Sequence, residues 1–324
     1  MTDLRSGISI VIPVYNSEKS LFALISRLKP ALDCLGRNYE LILVNDGSKD
    51  RSWDIMHALA SDHSWIRAIN LMRNYGQHNA LLCGMRAARF DITITMDDDL
   101  QNPPEEIPLL LDALDKGFDV VYGTPSVRQH GLWRNLAAQI TKLSFRAALG
   151  SEIAYQSSAF RAFRTALRNA FADYRGSFVS IDVLLTWGTS DFTSVTVRFE
   201  PRHAGVSNYT FAKLAMHALT MITGFSTLPL RLASFVGFGF MFFGIGVLCY
   251  VIGRYLLQGS SVPGFPFLAS VIAIFSGVQL FCLGIIGEYL ARMHFRMMEH
   301  PTYAIRSEIV PPSEPVQTNA LSKQ

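Results

Sequence analysis

The chain has 324 residues, 49% of them hydrophobic and only 17% charged, with a formal net charge of +3. So small a charge does not imply a nucleic-acid binder, no Lys/Arg run supports one, and the apolar excess is unusual for a soluble protein of this length. The excess gathers between Leu232 and Gly287, where Arg254 is the single charged residue.

In chain order, Ile8–Pro13 is a β-branched run that predicts a buried strand ended by proline, and Asn16 or Ser17 can cap a helix carrying Leu21, Leu24, Ile25 and Leu28 on one face. Tyr39–Val44, Ile66–Leu71, Asp91–Thr95 and Asp119–Gly123 predict four more strands, with helices at about 50–61, 78–89 and 104–116 between them. This alternation with short connections predicts an α/β domain with a mostly parallel, Rossmann-like sheet, whose strand ends lie along one edge. Ser158–Phe163 predicts a strand or turn behind the site, followed by a helix near Ile181–Trp187 and a strand at Thr193–Phe199. A helix near Phe211–Thr223 is amphipathic and suits a membrane interface. Residues 232–254 and 265–287 are each long and apolar enough to span a bilayer. The expected organisation is a cytoplasmic catalytic domain at 1–208, an interfacial helix at 209–230, a two-helix transmembrane hairpin within 231–290, and a cytoplasmic tail at 291–324. Met1–Gly7 lacks a hydrophobic core, so no signal peptide is expected, and basic flanks place both termini in the cytoplasm. Cys34, Cys83, Cys249 and Cys282 form no CxxC pair and read as buried thiols.

Chemistry concentrates at strand ends. Asp97-Asp98-Asp99 follows the fourth strand and precedes a proline-pinned helix start, Asn102-Pro103-Pro104-Glu105. Three adjacent carboxylates repel one another and call for a cation, and their hard oxygens suit Mg²⁺ or Mn²⁺. An acidic solvated loop is the plain alternative. Pro13-Val14-Tyr15-Asn16 offers a turn and an aromatic platform. Asp46, before Gly47, can accept from a base or ribose, with the glycine permitting close approach of a ligand. Both also read as ordinary strand-end turns. Neither a G-x-G-x-x-G fingerprint nor a Walker lysine is present.

Together Ile10–Asn16, Val44–Ser48, Asp97–Glu105 and the two closing spans resemble the GT-A glycosyltransferases of family 2, and among them the polyprenyl-phosphate glycosyltransferases. The run Arg73-Asn74-Tyr75-Gly76-Gln77-His78, with Asp99–Pro108, is similar to the branch that transfers 4-deoxy-4-formamido-L-arabinose to undecaprenyl phosphate. That branch carries Gly-Glu-Ser-Lys-Tyr where this chain has Gly205-Val206-Ser207-Asn208-Tyr209.

The resemblance implies a GT-A domain that binds a nucleotide-sugar, expected to be a UDP-sugar, through Pro13, Tyr15, Asn16, Asp46, Gln77, Asp97 and Asp98. It implies a metal held by Asp97, Asp99 and Gln101, with Asp99 catalytic. Arg128 and Arg134 would be catalytic cations on the lipid phosphate, joined by Arg202. The implied reaction is inverting transfer of one sugar to undecaprenyl phosphate at the bacterial inner membrane, serving envelope glycan or lipid A modification, with the bilayer and a second copy of the chain as possible partners. A lipid monophosphate needs no general base, because its oxygen is already ionised near neutral pH. A hydroxyl acceptor, or a module that binds or translocates lipid-linked sugar without catalysis, are the alternatives.

Overall fold

The computed structural model describes residues 4–125, 158–176, 179–200, 228–258, 264–298 and 300–310. The chain divides into two units, one built on a sheet and one on two long helices.

The sheet unit contains β1 (Arg5–Val14), α1 (Leu21–Asp33), β2 (Tyr39–Asn45), α2 (Ser52–Asp62), β3 (Ile66–Leu71), α3 (Gln77–Ala87), β4 (Phe90–Thr95), α4 (Ile107–Asp115), β5 (Val120–Pro125), β6 (Arg161–Arg164), α5 (Ile181–Gly188), β7 (Phe192–Val197) and β8 (Ile305–Ile309). A 3-10 turn at Pro104–Glu106 leads into α4. The strand order is β7-β5-β6-β4-β1-β2-β3-β8. β1 to β4 run parallel, with Val14 beside Asn45, Asn45 beside Asn70, and Val11 beside Thr95. Their carboxyl ends therefore share one edge, as the βαβ alternation requires.

Alternation along β1 divides the core between two faces. Ile8, Ile10, Ile12 and Val14 pack with α1, α2 and α4. Val11 on the other face packs with Ile42, Val44 and the buried residues of α3 and α5. Here α3 lies close: a Cβ at Gly84 would come within 2.3 Å of the Val11 side chain. The expected stripe Leu21, Leu24, Ile25 and Leu28 is buried on α1.

Four details depart from expectation. β1 runs through Pro13 to Val14; β4 pairing ends at Val11, so the proline sits where β1 has one neighbour and interrupts little. Neither Asn16 nor Ser17 caps α1, whose N-cap is Ser20; both are engaged across the sheet edge. Cys34 and Cys249 are exposed, Cys83 is buried and Cys282 half-buried, all with free thiols. Finally, the stretch read as a tail holds β8, which pairs antiparallel with β3 at the sheet edge.

The helical unit has α6 (Leu228–Gln258) and α7 (Phe265–Met297). Phe240 packs edge-on against Phe275 at 5.9 Å, and the Cys282 thiol reaches the Ala233 carbonyl. Residue numbers rising on one helix and falling on the other make the pair an antiparallel hairpin. The apolar stretches are Leu230–Arg254 and Ile274–Ala291, and neither is covered by protein. Twenty-five residues rise about 37 Å, enough to cross a hydrocarbon core of roughly 30 Å. Large side chains such as Phe235 and Phe242 are exposed, which in water would carry a heavy hydration cost. The expected interfacial helix at 209–230 lies outside the described residues, apart from the start of α6.

Candidate active site

The carboxyl ends of β1, β2 and β4 open onto a cavity of about 340 Å³. Pro13, Tyr15, Asp46, Gln77, Asp97, Asp98 and Asp99 are among the residues that line it. Seven of the expected donor and metal residues thus meet in one place. Tyr15 is exposed, as a stacking platform must be.

Hydrogen bonds stitch the wall together. Beyond β1, Asn16 adopts φ 55°, and its side-chain carbonyl accepts the Lys49 N–H at 2.8 Å while its own N–H donates to the Ser48 hydroxyl at 3.0 Å. Asn tolerates this left-handed conformation better than most residues. Asn16 thus joins the β1 and β2 loops. The Ser17 N–H donates to Ser52 at 2.8 Å, and its hydroxyl donates to the Asp98 carboxylate.

Asp46 is 3% exposed. Its two oxygens accept the backbone N–H groups of Tyr75 at 2.7 Å and Gly76 at 2.9 Å. Burial raises its pKa, and these two bonds oppose the rise. Asp46 therefore fixes the loop that enters α3. Gly47, expected to admit a ligand, instead admits the chain itself: with φ 68°, a Cβ there would lie 2.5 Å from the Asn74 nitrogen. Just past that loop, the Gln77 side-chain amide donates to Asp97 at 2.7 Å.

The acidic run turns sharply. Leu100 takes φ 59°, a conformation costing a branched residue about 1–3 kcal/mol. Its buried side chain offsets this, since burying a leucine contributes about 1.5–3 kcal/mol. The Gln101 N–H donates to Asp99 at 3.1 Å, and the Gln101 carbonyl accepts from the Glu200 N–H at 2.9 Å. Behind the turn, Arg27 grips both Glu105 and Glu200, and Arg198 pairs with Glu106.

Asp98 is pushed up to about 7, first by burial and then by Asp97 and Asp99, against the pull of the Ser17 hydroxyl and a backbone bond from Tyr15. Burial is the leading cause, and the charges of Asp97 and Asp99 add to it. Among the described residues no three His, Cys, Asp or Glu side chains form a ready metal cage. An oxygen-only, two-carboxylate site that leaves positions for substrate phosphate and water suits Mg²⁺ or Mn²⁺, which rarely use all-protein cages. The donor set and its excess charge therefore fit a hard divalent cation.

Directly behind the acids, Thr95, Arg161 and Tyr122 stand in register on β4, β6 and β5. The Arg161 guanidinium donates to Thr95 at 3.0 Å and ion-pairs with Asp182, which also accepts the Tyr122 hydroxyl at 2.9 Å. Arg161 and Asp182 are both buried. Sequence reading missed this network, because a β6 inserted antiparallel between β4 and β5 leaves no local pattern. The expected lipid-phosphate residues Arg128, Arg134 and Arg202 lie outside the described residues.

Comparisons with known proteins agree with this geometry. The family model for Glycosyl transferase family 2 matches residues 9–175. An undecaprenyl-phosphate 4-deoxy-4-formamido-L-arabinose transferase of Pectobacterium carotovorum is 35% identical over 312 residues, 95% of each chain. The protein of that name from Pseudomonas aeruginosa is 36% identical over 92% of this chain and 89% of its own. A crystal structure of glucosyl-3-phosphoglycerate synthase from Mycobacterium tuberculosis, in complex with Mn²⁺ and UDP-glucose, superposes with a TM-score of 0.51 at 20% identity. It covers 68% of this chain and 78% of that one, a likeness of fold. With its GT-A sheet, its acidic turn at the strand edge and these relatives, the chain belongs to glycosyl transferase family 2.

Proposed function

We propose that this glycosyltransferase moves one sugar from a nucleotide-sugar, a UDP-sugar, to undecaprenyl phosphate in the cytoplasmic membrane. The observation that carries the donor half is the cavity that unites Pro13, Tyr15, Asp46 and Gln77 with the acidic run. The acceptor half is supported by relatives named for undecaprenyl phosphate that align over nearly the whole chain, helices included. Two apolar helices uncovered by protein supply the membrane contact such a lipid demands. The hairpin would keep both termini on the cytoplasmic side.

An acceptor phosphate oxygen is already a nucleophile, so the reaction needs no proton removed. It attacks the anomeric carbon as the bond to the leaving diphosphate breaks, the electron pair departs with the diphosphate, and configuration inverts. Every carboxylate at the cavity wall already has a hydrogen-bond partner: Asp46 in the Tyr75 and Gly76 amides, Asp97 in Gln77, Asp98 in Ser17 and Asp99 in the Gln101 amide. Asp182 is committed to Arg161. Such a wall suits positioning more than proton abstraction. Asp97 and Asp99, with Gln101, would hold a Mg²⁺ or Mn²⁺, which when bound offsets charge on the leaving diphosphate. Tyr15 would stack on the base, and Asn16, Asp46 and Gln77 would hold the loops around it. Arg128, Arg134 and Arg202 would grip the lipid phosphate through the planar guanidinium fork.

The test is a panel of radiolabelled nucleotide-sugars given to purified membranes with undecaprenyl phosphate. One donor should yield a lipid-extractable product that requires divalent cation and disappears in Asp99→Ala. Full turnover by Asp99→Ala would refute the assignment of that residue.

A further inference from the structure

The loop that shapes the donor side of the cavity is gripped from outside by a segment encoded after the apolar helices. Met72, the residue leaving β3, has both backbone polar groups held by that segment. Its N–H donates to the Ala304 carbonyl at 2.9 Å, and its carbonyl accepts from the Arg306 guanidinium at 3.1 Å. At the far end of the loop, Asn79 in the first turn of α3 donates to the Thr302 carbonyl at 2.7 Å, a buried bond. Between these two grips lie Tyr75 and Gly76, whose amides hold Asp46, and Gln77, whose side chain holds Asp97.

The segment is itself well anchored. β8 pairs with β3 from Leu71–Ile305 to Ala68–Ile309. Glu308 pairs with the buried Arg67 at 2.7 Å, and Tyr303 lies over the Arg86 guanidinium. Thr302 is buried. A short strand with few apolar residues would be a weak edge by itself; these side-chain ties hold it in register.

We propose that residues 302–306 are a brace for the donor loop, with Asn79 and Arg306 as positioning residues for the nucleotide-sugar. They are not among the residues that line the cavity; they fix the loop whose Asn74, Gly76 and Gln77 do line it. Completion of the donor site therefore waits for chain that follows the apolar hairpin. The brace itself rests on geometry alone, and its consequence for donor affinity rests on the function proposed above.

Hydrogen exchange of the full-length, ligand-free protein tests the brace directly. The Tyr75 and Gly76 amides should exchange roughly three- to tenfold faster in Arg306→Ala and in Asn79→Ala, as expected for loss of one hydrogen bond at a locally opening loop. Arg306 is exposed, so its variant should fold and melt as the wild type does even if Asn79→Ala does not. Arg306→Lys, which keeps a donor, should restore slow exchange. Glu308→Gln, which weakens the same strand away from the loop, should leave both amides unchanged. Wild-type exchange at Tyr75 and Gly76 in Arg306→Ala, or equal acceleration in Glu308→Gln, would overturn the brace. In membranes that transfer sugar, Arg306→Ala should raise donor KM with kcat nearly unchanged; an unchanged KM would overturn the donor-positioning role. Absence of transfer in the wild type would count against the function, while the exchange rates would still decide the brace.

Discussion

The Ser17 hydroxyl, just past β1, donates to the Asp98 carboxylate, just past β4. This bond closes the mouth between the two strands that flank the centre of the site. The bond opposes, without cancelling, the burial and the Asp97 and Asp99 charges that together push the Asp98 carboxyl up to about 7.

A pH dependence follows. The folded pKa of Asp98 lies above its ordinary value, so the metal-free protein binds an extra proton relative to the unfolded chain between about 4 and 7. Its contribution to stability is present in acid and is lost as pH rises through 7. A divalent cation should expel that proton, so Mn²⁺ affinity should rise with pH up to about 7 and then level off. Calorimetric titration in two buffers of different ionisation enthalpy should detect proton release at pH 6 and little at pH 8. In Asp98→Asn, release at pH 6 should vanish.

Asp46→Asn replaces an oxygen that accepts a backbone N–H with an amide that cannot. Hydrogen bonds to a charged group contribute about 1.5–3 kcal/mol, so the donor loop should loosen and donor KM rise roughly ten- to a hundredfold. Steady-state kinetics with varied nucleotide-sugar would measure this; an unchanged KM would show that the Tyr75 and Gly76 bonds do not shape the site.

Strand alternation, the apolar spans and the acidic turn were legible because each is written in contiguous residues. The parallel core β1 to β4 needed only the β-branched runs and the helical spacing between them. The hold on Asp46 was illegible for the opposite reason: its donors are backbone amides, which any residue carries. In sequence Gly47 reads as room for a ligand, but its neighbour is the Arg73–Asn74 backbone, contributed by a loop after the next strand. Likewise β8 hides in Ile305-Arg306-Ser307-Glu308-Ile309, whose charges read as a tail until Arg67 is seen to meet Glu308.

Behind the acids, Arg161→Met should destabilise the sheet domain by about 3–5 kcal/mol, because Asp182 would remain buried without its cation. The double variant Arg161→Met with Asp182→Leu should recover much of the loss. Urea denaturation followed by tryptophan fluorescence would separate these outcomes. Equal instability of the single and double variants would mean that packing and the Tyr122 and Thr95 hydrogen bonds, and not the Arg161 charge, hold the network together.

Gly47→Ala should also cost stability, since it places a Cβ 2.5 Å from the Asn74 nitrogen at φ 68°. A positive φ costs a non-glycine residue about 1–2 kcal/mol before any clash. The expected readouts are a lower melting temperature and a raised donor KM together; a wild-type melting temperature would contradict the close approach.

The proposed reaction is a single inverting transfer onto a phosphate oxygen. Proton and phosphorus NMR of the purified lipid product tests it most directly. The product should carry one sugar joined through a phosphodiester, with anomeric configuration opposite to that of the donor. A sugar joined to a hydroxyl, or retention at the anomeric carbon, would contradict it.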